Sequence, residues 1–287
     1  MKYIIVTGVS TGIGRAIAEY YVKKGDFVFG SVRKETDATQ LKFLLGNQFE
    51  ALIFDVRDGE AIKKAVEIVK KRVNTEGVAL LVNNAGIAVS GPLQHLSIEE
   101  YQMQFDINVF GVQRVTQAFL PLLGASLTTD IRQKGMIINI SSVSSMVTTP
   151  FLGAYSASKA ALEHWSDALR RELSIYGIRV VNVLPGPVKT EIWDKSRANI
   201  NYYPETDYAP LLRKSEAMID KSEKSAIPVA DVAIFIDKIF QKRNPLTRYI
   251  IAHNRWLVKF ASILPHRLVD KMLTSGFKNV QRNVIPL

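Results

Sequence analysis

Short apolar segments alternate with amphipathic helical patterns along most of this chain of 287 residues. Several of the apolar segments have the near-continuous hydrophobicity of parallel strands that are buried on both faces. The predicted strands are Tyr3–Thr7, Phe27–Arg33, Glu50–Phe54, Ala79–Asn83, Met136–Ser141, Arg179–Leu184 and Arg248–Ala252. The predicted helices between them are Ile13–Lys24, Gly59–Asn74, Ile98–Leu123 and Ala154–Tyr176. This alternation predicts an α/β fold with a doubly wound parallel sheet of about seven strands and helices on both faces.

The chain contains no internal repeat and no low-complexity linker, so we predict a single Rossmann-type domain over residues 1–287. Its body is expected to cover 1–188. A polar segment with scattered aromatic residues, 189–227, is expected to form a substrate lid. Residues 254–287 are basic and rich in apolar side chains, and they predict a helical C-terminal extension.

Composition excludes several classes of site. The chain has no cysteine, which rules out disulfide scaffolds, cysteine–zinc sites and thiol nucleophiles, and we expect no metal. Met1 is followed at once by a strand-like run, and no apolar run approaches the length of a membrane span. We therefore expect a cytoplasmic protein.

The net charge of +10 is concentrated at the C-terminus. Residues 241–287 carry nine basic side chains and one acidic side chain, Asp270. A nucleic-acid-binding protein would carry a basic stripe across the body of the domain, so no nucleic-acid partner is expected. The basic tail suits contact with an acidic partner subunit, weak contact with an anionic membrane surface, or simple solvation.

A glycine-rich turn, Thr7-Gly8-Val9-Ser10-Thr11-Gly12-Ile13-Gly14, follows the first strand and opens the first helix. In this context Gly8 permits a tight turn, Gly12 lets a pyrophosphate approach the backbone, and Gly14 lets helix and strand pack closely. The N-terminus of the helix offers free N–H groups to the phosphates. We expect Gly8, Ser10, Thr11, Gly12, Ile13 and Gly14 to bind a dinucleotide.

The end of the second strand indicates which dinucleotide binds. The sequence there is Ser31-Val32-Arg33-Lys34, with no acidic residue to accept from a ribose 2′-hydroxyl. A guanidinium can hold a 2′-phosphate with two parallel hydrogen bonds, so Arg33 favours NADP(H), with NAD(H) as the alternative.

Polar residues follow the third and fourth strands, at the sheet edge where ligands of open parallel sheets bind. Asp55 and Val56 are expected at the adenine, and Asn84, Ala85 and Gly86 beside the rest of the cofactor. The asparagines have an alternative role in capping the end of the strand.

The fifth strand runs into a serine-rich segment, and Tyr155 and Lys159 follow on a predicted helix. Their spacing of four residues places both on one helix face. Lowering the pKa of a phenol by two to three units requires about 3–4 kcal/mol, which one ammonium at about 4 Å supplies. We therefore expect Tyr155 to exchange a proton while Ser142 holds a carbonyl or hydroxyl oxygen. Ser141 and Ser144 are the alternatives for this serine.

Together these motifs resemble the short-chain dehydrogenase/reductase family over about residues 1–195. The resemblance rests on Thr7–Gly14, Asn83–Gly86, Asn108, Ser142, Tyr155, Lys159 and Pro185–Thr190. It implies Tyr155 as acid/base, Ser142 as substrate orienter and Lys159 as pKa modulator and ribose ligand. It also implies a water held by Asn108 and cofactor contacts from Pro185, Gly186, Val188 and Thr190.

The second strand and the C-terminal extension are most similar to the retinol, hydroxysteroid and hydroxybutyrate dehydrogenase branch. That resemblance implies an oxidoreductase that interconverts an alcohol and a ketone or aldehyde, and a homodimer or homotetramer assembled through Ile98–Leu123 and Ala154–Tyr176. Apolar side chains in Ile87–Leu96, Val143–Phe151 and Glu191–Met218 favour an apolar substrate. The competing hypothesis is a non-catalytic dinucleotide sensor on the same fold.

Residues 256, 257, 260, 263 and 264 form one apolar stripe at helical spacing, flanked by basic residues. Packing against the core or a subunit is the ordinary reason for such a stripe. The sharper hypothesis is that this helix covers the substrate entrance and leans on a membrane surface.

Overall fold

The computed structural model describes residues 1–128, 130–131, 133–190, 203–275 and 277, except for the side chains of 216–219 and 221. Seven parallel strands form one sheet in the order β3-β2-β1-β4-β5-β6-β7. Their bounds are β1 Tyr3–Val6, β2 Phe27–Val32, β3 Phe49–Ile53, β4 Leu80–Asn83, β5 Met136–Ile140, β6 Arg179–Pro185 and β7 Arg248–Ile251. The doubly wound parallel sheet is confirmed, with all seven predicted strands in place.

Helices cover both faces of the sheet, as predicted. Their bounds are α1 Gly12–Lys23, α2 Glu35–Leu45, α3 Gly59–Val73, α4 Ile98–Phe105, α5 Gly111–Phe119, α6 Gly153–Glu172, α7 Ala209–Lys224, α8 Val229–Phe240, α9 Arg255–Ile263 and α10 His266–Thr274. Ile4 of β1 packs in the core with α1 and α8, whereas its neighbour Ile5 packs in the core with α3 and α5. Alternate strand residues thus supply two separate hydrophobic cores.

The predicted continuous helix over Ile98–Leu123 is wrong. The chain there forms α4, a π-helix at Asp106–Phe110, α5 and a 3₁₀ turn at Leu120–Leu123. Pro121 lacks the N–H that an α-helix needs, and this explains the tight last turn. Asn108 lies at the centre of the π-helix, and π-bulges often occur at functional sites.

The sequence analysis missed three helices: α2, α8 and α7, which lies in the expected lid. Helix α2 buries only Ala38 and Leu41, so its apolar periodicity is weak. Helix α8 buries one face, including Asp237, but Ile234 on its other side is also apolar although 38% exposed, so the contrast between its faces is weak in the sequence. Asp237 is held by a salt bridge from Lys24 at 2.6 Å, which fixes α8 against α1.

The expected lid leaves the body after β6 and returns to it at Ile227. Ile227 forms a parallel bridge with Val188, and Lys189 N donates to Ile227 O at 2.9 Å. Between these points the structure describes 203–227, including α7, whereas Ile192, Trp193 and Tyr202 lie outside the described residues. In the described part of the chain, no helix combines the length and apolarity that crossing a membrane requires.

Candidate active site

The glycine-rich turn lies between β1 and α1, and two of its glycines adopt left-handed backbone angles. The φ angles are 71° at Gly8 and 60° at Gly12. A Cβ at Gly14 would overlap the carbonyl oxygen of Gly8 and the side-chain amide of Asn84. The Thr11 side chain does not cap α1, which leaves the first N–H groups of the helix available to an anion. The turn thus has the shape and polarity of a pyrophosphate cradle.

Side chains from neighbouring strands hold this turn in place. Asn84 Nδ2 donates to Thr7 O at 2.9 Å and to Gly8 O at 3.0 Å. Thr7 Oγ1 accepts from the backbone N–H groups of Asn84 and Ala85, and Ser31 Oγ accepts from Gly8 N at 3.0 Å. The Asn84 side chain therefore positions the turn. Thr7 and Ser31 therefore support the turn as well. Thr7 opens the glycine-rich motif, whereas the only signal of Ser31 in the sequence was a polar residue within an apolar strand.

The adenine end of the expected site contains two arginines rather than one. Arg33 is exposed just after β2, and Arg57 donates from Nε to Asp55 Oδ1 at 3.0 Å and from Nη2 to Asp55 Oδ2 at 2.9 Å. The Arg57 hydrogen bonds, opposed by burial and aided by the charge of Arg33, hold the pKa of Asp55 below its usual range. Arg57 was missed by the sequence analysis. Both oxygens of Asp55 are engaged with it, so adenine binding by Asp55 stays a prediction.

Asn108 sits in the π-helix and is completely buried. Its Oδ1 accepts from Ile87 N at 2.9 Å, and its Nδ2 donates to Ile87 O at 3.0 Å and Ser158 Oγ at 3.2 Å. Ser158 Oγ in turn donates to Tyr155 O at 2.7 Å. Asn108 therefore fixes the loop after β4 against α6. Within this loop, a Cβ at Gly86 would lie 3.1 Å from Asn108 Oδ1.

Tyr155, Lys159 and Ser142 converge at the ends of β5 and α6. The Ser142 side chain lies near enough to Tyr155 to favour the ionised phenol, which acts to lower the pKa of Tyr155. Lys159 Nζ lies 5.8 Å from the centroid of the Tyr155 ring and donates to Ile140 O at 2.8 Å. The predicted trio of side chains is thus assembled, with Lys159 anchored at the end of β5.

The hydrogen bonds distinguish Ser142 from the two alternative serines, Ser141 and Ser144. Ser144 N donates to Ser142 Oγ at 3.1 Å, so Ser144 supports Ser142 through its backbone. Ser141 Oγ is buried and has no partner among the described residues. Ser142 is therefore the serine whose side chain reaches Tyr155.

The electrostatic expectation for Tyr155 is corrected by the structure. Burial raises the pKa of Tyr155, and the Ser142 side chain offsets this only in part. Burial also lowers the pKa of Lys159 to about 8, against an opposing effect of the Glu163 charge. Because Lys159 is itself desolvated and donates to a backbone carbonyl, it does not acidify Tyr155 by the simple two-charge argument.

The segment after β6 reaches back to the glycine turn. Gly186 N donates to Ile251 O at 2.9 Å, and a Cβ at Gly12 would lie 3.2 Å from Thr190 Cγ2. An open cleft of about 780 Å³ adjoins this contact. Gly12 and Thr190 line it together with the acidic residues Glu19, Asp220 and Glu223, and Tyr155 is not among its lining residues. The glycine turn and the uncapped start of α1 fit the pyrophosphate of a dinucleotide.

Comparisons with known proteins place this geometry in a family. The family model for short chain dehydrogenases matches residues 2–201. The chain is 44% identical over 98% of its length to the NADPH-dependent 3-dehydrocapnine reductase of Ornithobacterium rhinotracheale, covering 99% of that protein. It is 31% identical to the 3-ketodihydrosphingosine reductase of Bacteroides thetaiotaomicron, covering 85% of each chain.

The more distant matches agree. Human retinol dehydrogenase 16 is 31% identical over 95% of this chain and 87% of its own. The crystal structure of a short-chain dehydrogenase from Streptomyces avermitilis superposes with a TM-score of 0.76 at 27% identity, covering 99% of this chain and 98% of that one. The chain belongs to the short-chain dehydrogenase family of oxidoreductases, as its motifs predicted.

Proposed function

We propose that this protein is an NADP(H)-dependent reductase that converts the 3-ketone of a long-chain, sphingoid-like amphiphile to the alcohol. One observation carries the proposal. The Ser142 side chain lies beside Tyr155, and Lys159 follows Tyr155 one helical turn later on α6. The similarity to the 3-dehydrocapnine and 3-ketodihydrosphingosine reductases, whose names share a ketone at carbon 3, supports this substrate class.

In this proposal the residues predicted from sequence hold the cofactor. NADPH, when bound, supplies the hydride for the carbonyl carbon. The glycine turn receives the pyrophosphate, Arg33 the 2′-phosphate, and Thr190 the nicotinamide end. The remaining contacts are assigned to Asp55, Val56, Ala85, Gly86, Pro185, Gly186 and Val188. The cofactor agrees with the one named for the Ornithobacterium reductase.

The protein side chains position the ketone and supply the proton. Ser142 donates to the carbonyl oxygen, and Tyr155 transfers its phenolic proton to the same oxygen as the alcohol forms. The raised pKa keeps Tyr155 protonated at neutral pH, as an acid in the reductive direction must be. Lys159 stabilises the phenolate that remains, and Asn108 holds α6 against the β4 loop.

An aromatic cluster beside the site suits an alkyl chain. Phe151 precedes α6, and its ring packs edge-on against Tyr208 at a centroid distance of 5.9 Å. Tyr203 and Leu212, both buried, complete this cluster. Apolar surfaces of this kind gain free energy by covering hydrocarbon, at roughly 25 cal/mol for each Å² removed from water.

We also propose a homodimer or homotetramer assembled through the α4–α5 segment and α6, as the family resemblance implies. Phe110 at the end of the π-helix supports this because 53% of its surface is exposed in the single chain.

The decisive experiment measures NADPH oxidation with 3-ketodihydrosphingosine for the wild type and Tyr155→Phe. We expect Tyr155→Phe to lower kcat by at least about 100-fold, the usual contribution of a general acid. Tyr176→Phe, in the 3₁₀ turn that follows α6, is the matched control and should retain wild-type kcat. NADPH binding followed by fluorescence should be unchanged in both variants. Equal turnover by Tyr155→Phe and wild type would refute the catalytic assignment, and cofactor binding without turnover of any ketone would favour a dinucleotide sensor.

A further inference from the structure

Helices α9 and α10 expose an unusual amount of apolar surface. No described residue of either helix is buried. Trp256 and Ile263 are 71% and 78% exposed, respectively. The exposed apolar side chains, which we call the tail surface, are Trp256, Leu257, Phe260, Ile263, Leu268 and Met272. On α9 these side chains recur at helical spacing and share one face, and an exposed apolar face of this kind marks a surface that binds something.

Basic side chains flank the tail surface. The guanidinium of Arg255 lies 5.6 Å and the ammonium of Lys259 5.4 Å from the centroid of the Trp256 ring. Arg267 and Lys271 continue the basic flank on α10. Within the described part of the chain, none of these four cations forms a salt bridge with an acidic side chain. The partner that matches this surface is therefore both anionic and apolar.

The tail is also connected to the aromatic cluster beside the active site. The ring of Phe277, just beyond α10, stacks on Phe151 at a centroid distance of 6.1 Å and an interplanar angle of 19°. Phe151 has a φ of 68°, in the left-handed region. The end of the tail thus contacts a residue that lies four positions before Tyr155.

We propose that the tail surface docks onto an anionic lipid bilayer. An amphipathic helix with tryptophan and phenylalanine on its apolar face and lysine and arginine beside it lies in the interface plane of a membrane, with the apolar face about 5–10 Å deep. A second copy of this chain offers the tail surface little negative charge, since its own tail carries nine basic residues and one acid, Asp270, and this disfavours self-association through the tail surface.

Docking would place the Phe151 cluster at the lipid interface. An amphiphilic ketone could then pass from the bilayer to Tyr155 without crossing water. This consequence rests on the proposed function, whereas the docking itself rests only on the tail surface and its charges.

The test is co-sedimentation of the full chain with vesicles of phosphatidylcholine alone or with added phosphatidylglycerol. It is run at about 0.1 M and about 1 M salt, where the Debye length is about 10 Å and about 3 Å. We expect binding to the anionic vesicles at the lower salt concentration and much weaker binding at the higher one. Replacing Arg255 and Lys259 by glutamine should weaken partitioning about 25-fold, or about fivefold for each side chain.

The apolar contribution is tested by Trp256→Ser with Phe260→Ser, which should weaken partitioning by at least about tenfold. Phe43→Ser is the matched apolar control, because Phe43 is 91% exposed on α2. Lys70→Gln with Lys71→Gln, at the exposed end of α3, is the matched charge control. Both controls should bind vesicles like wild type.

Three results would overturn the proposal. They are no binding to anionic vesicles at the lower salt concentration, equal loss in the control variants, and self-association abolished by the Trp256/Phe260 changes without vesicle binding. A kinetic comparison separates docking from the proposed function. The Trp256/Phe260 variant should turn over a vesicle-embedded long-chain ketone more slowly, but a water-soluble short ketone at the wild-type rate. If the wild type bound vesicles as expected but turned over neither ketone, the result would count against the proposed reductase function and not against docking.

Discussion

Glu163 lies one helical turn beyond Lys159 on α6, and its Oε2 forms a salt bridge with Arg248 Nε at 2.8 Å. Its other oxygen, Oε1, is buried without a partner among the described residues. The Glu163 charge raises the pKa of Lys159 against the larger, lowering effect of burial. Glu163 is thus a positioning residue whose charge favours the protonated form of Lys159.

Glu163→Gln should lower the pKa of Lys159 further below about 8, because the opposing carboxylate is lost. The alkaline limb of the kcat/KM profile should move to lower pH by about one unit, at the lower end of the range for a neighbouring charge. Asp167→Asn is the matched control, since Asp167 also binds Arg248, at 2.9 Å, and leaves Glu163 in place. An identical shift in the control would show that Arg248, rather than the Glu163 charge, controls the limb.

The lowered pKa of Lys159 also links stability to pH. The pKa is about 8 in the folded protein and 10.5 as the reference for an unfolded lysine. Between these values the unfolded chain binds more protons, so the free energy of unfolding from this group rises with pH. Lys159→Met removes the effect. Its stability relative to wild type should fall by up to about 3 kcal/mol as the pH rises from about 8 to about 10.5. Urea unfolding at several pH values measures this difference, and a constant difference would contradict it.

The sheet could be predicted from the sequence because parallel strands that are buried on both faces appear as short, nearly continuous apolar runs. Segments such as Ile137 and Ile138 in β5 are apolar on both faces and are bounded by polar turns. The break at Asn108 could not be predicted, because the π-helix is stabilised by contacts with Ile87 and Ser158 that are distant in the chain. Helix periodicity describes only neighbours along one helix.

In the candidate site, too, the features set by local spacing could be predicted, whereas those that depend on folding could not. Spacing alone placed Tyr155 and Lys159 on one helix face, and the structure agrees. Arg57 was missed because its role arises from folding back onto Asp55 two residues earlier. The pKa argument for Tyr155 was wrong because sequence does not reveal desolvation, which here raises the pKa of one partner and lowers that of the other.

Gly14→Ala should disrupt the glycine turn, since the added methyl group would meet the Gly8 carbonyl and the Asn84 amide, which hydrogen-bond each other. We expect a loss of about 2–3 kcal/mol in the free energy of unfolding, together with loss of NADPH binding. Gly59→Ala is the control, because a Cβ there meets nothing within 4 Å. It should be neutral or stabilise by about 0.5 kcal/mol. Urea unfolding and NADPH titration check both variants, and similar behaviour of the two would refute the close-packing role of Gly14.

Arg33→Ala should change the cofactor preference. The two cofactors differ by the 2′-phosphate, and a hydrogen-bonded charge pair contributes about 1.5–3 kcal/mol. The kcat/KM for NADPH should therefore fall about ten- to 100-fold, while that for NADH stays unchanged. Lys34→Ala is the neighbouring control. Lys34 is exposed at the start of α2, and its ammonium lacks the two parallel donors of a guanidinium, so its loss should have a smaller effect. Equal losses with NADPH and NADH in Arg33→Ala would mean that Arg33 maintains the structure and does not select the cofactor. A larger loss of kcat/KM for NADPH in Lys34→Ala than in Arg33→Ala would show that Lys34, rather than Arg33, binds the 2′-phosphate.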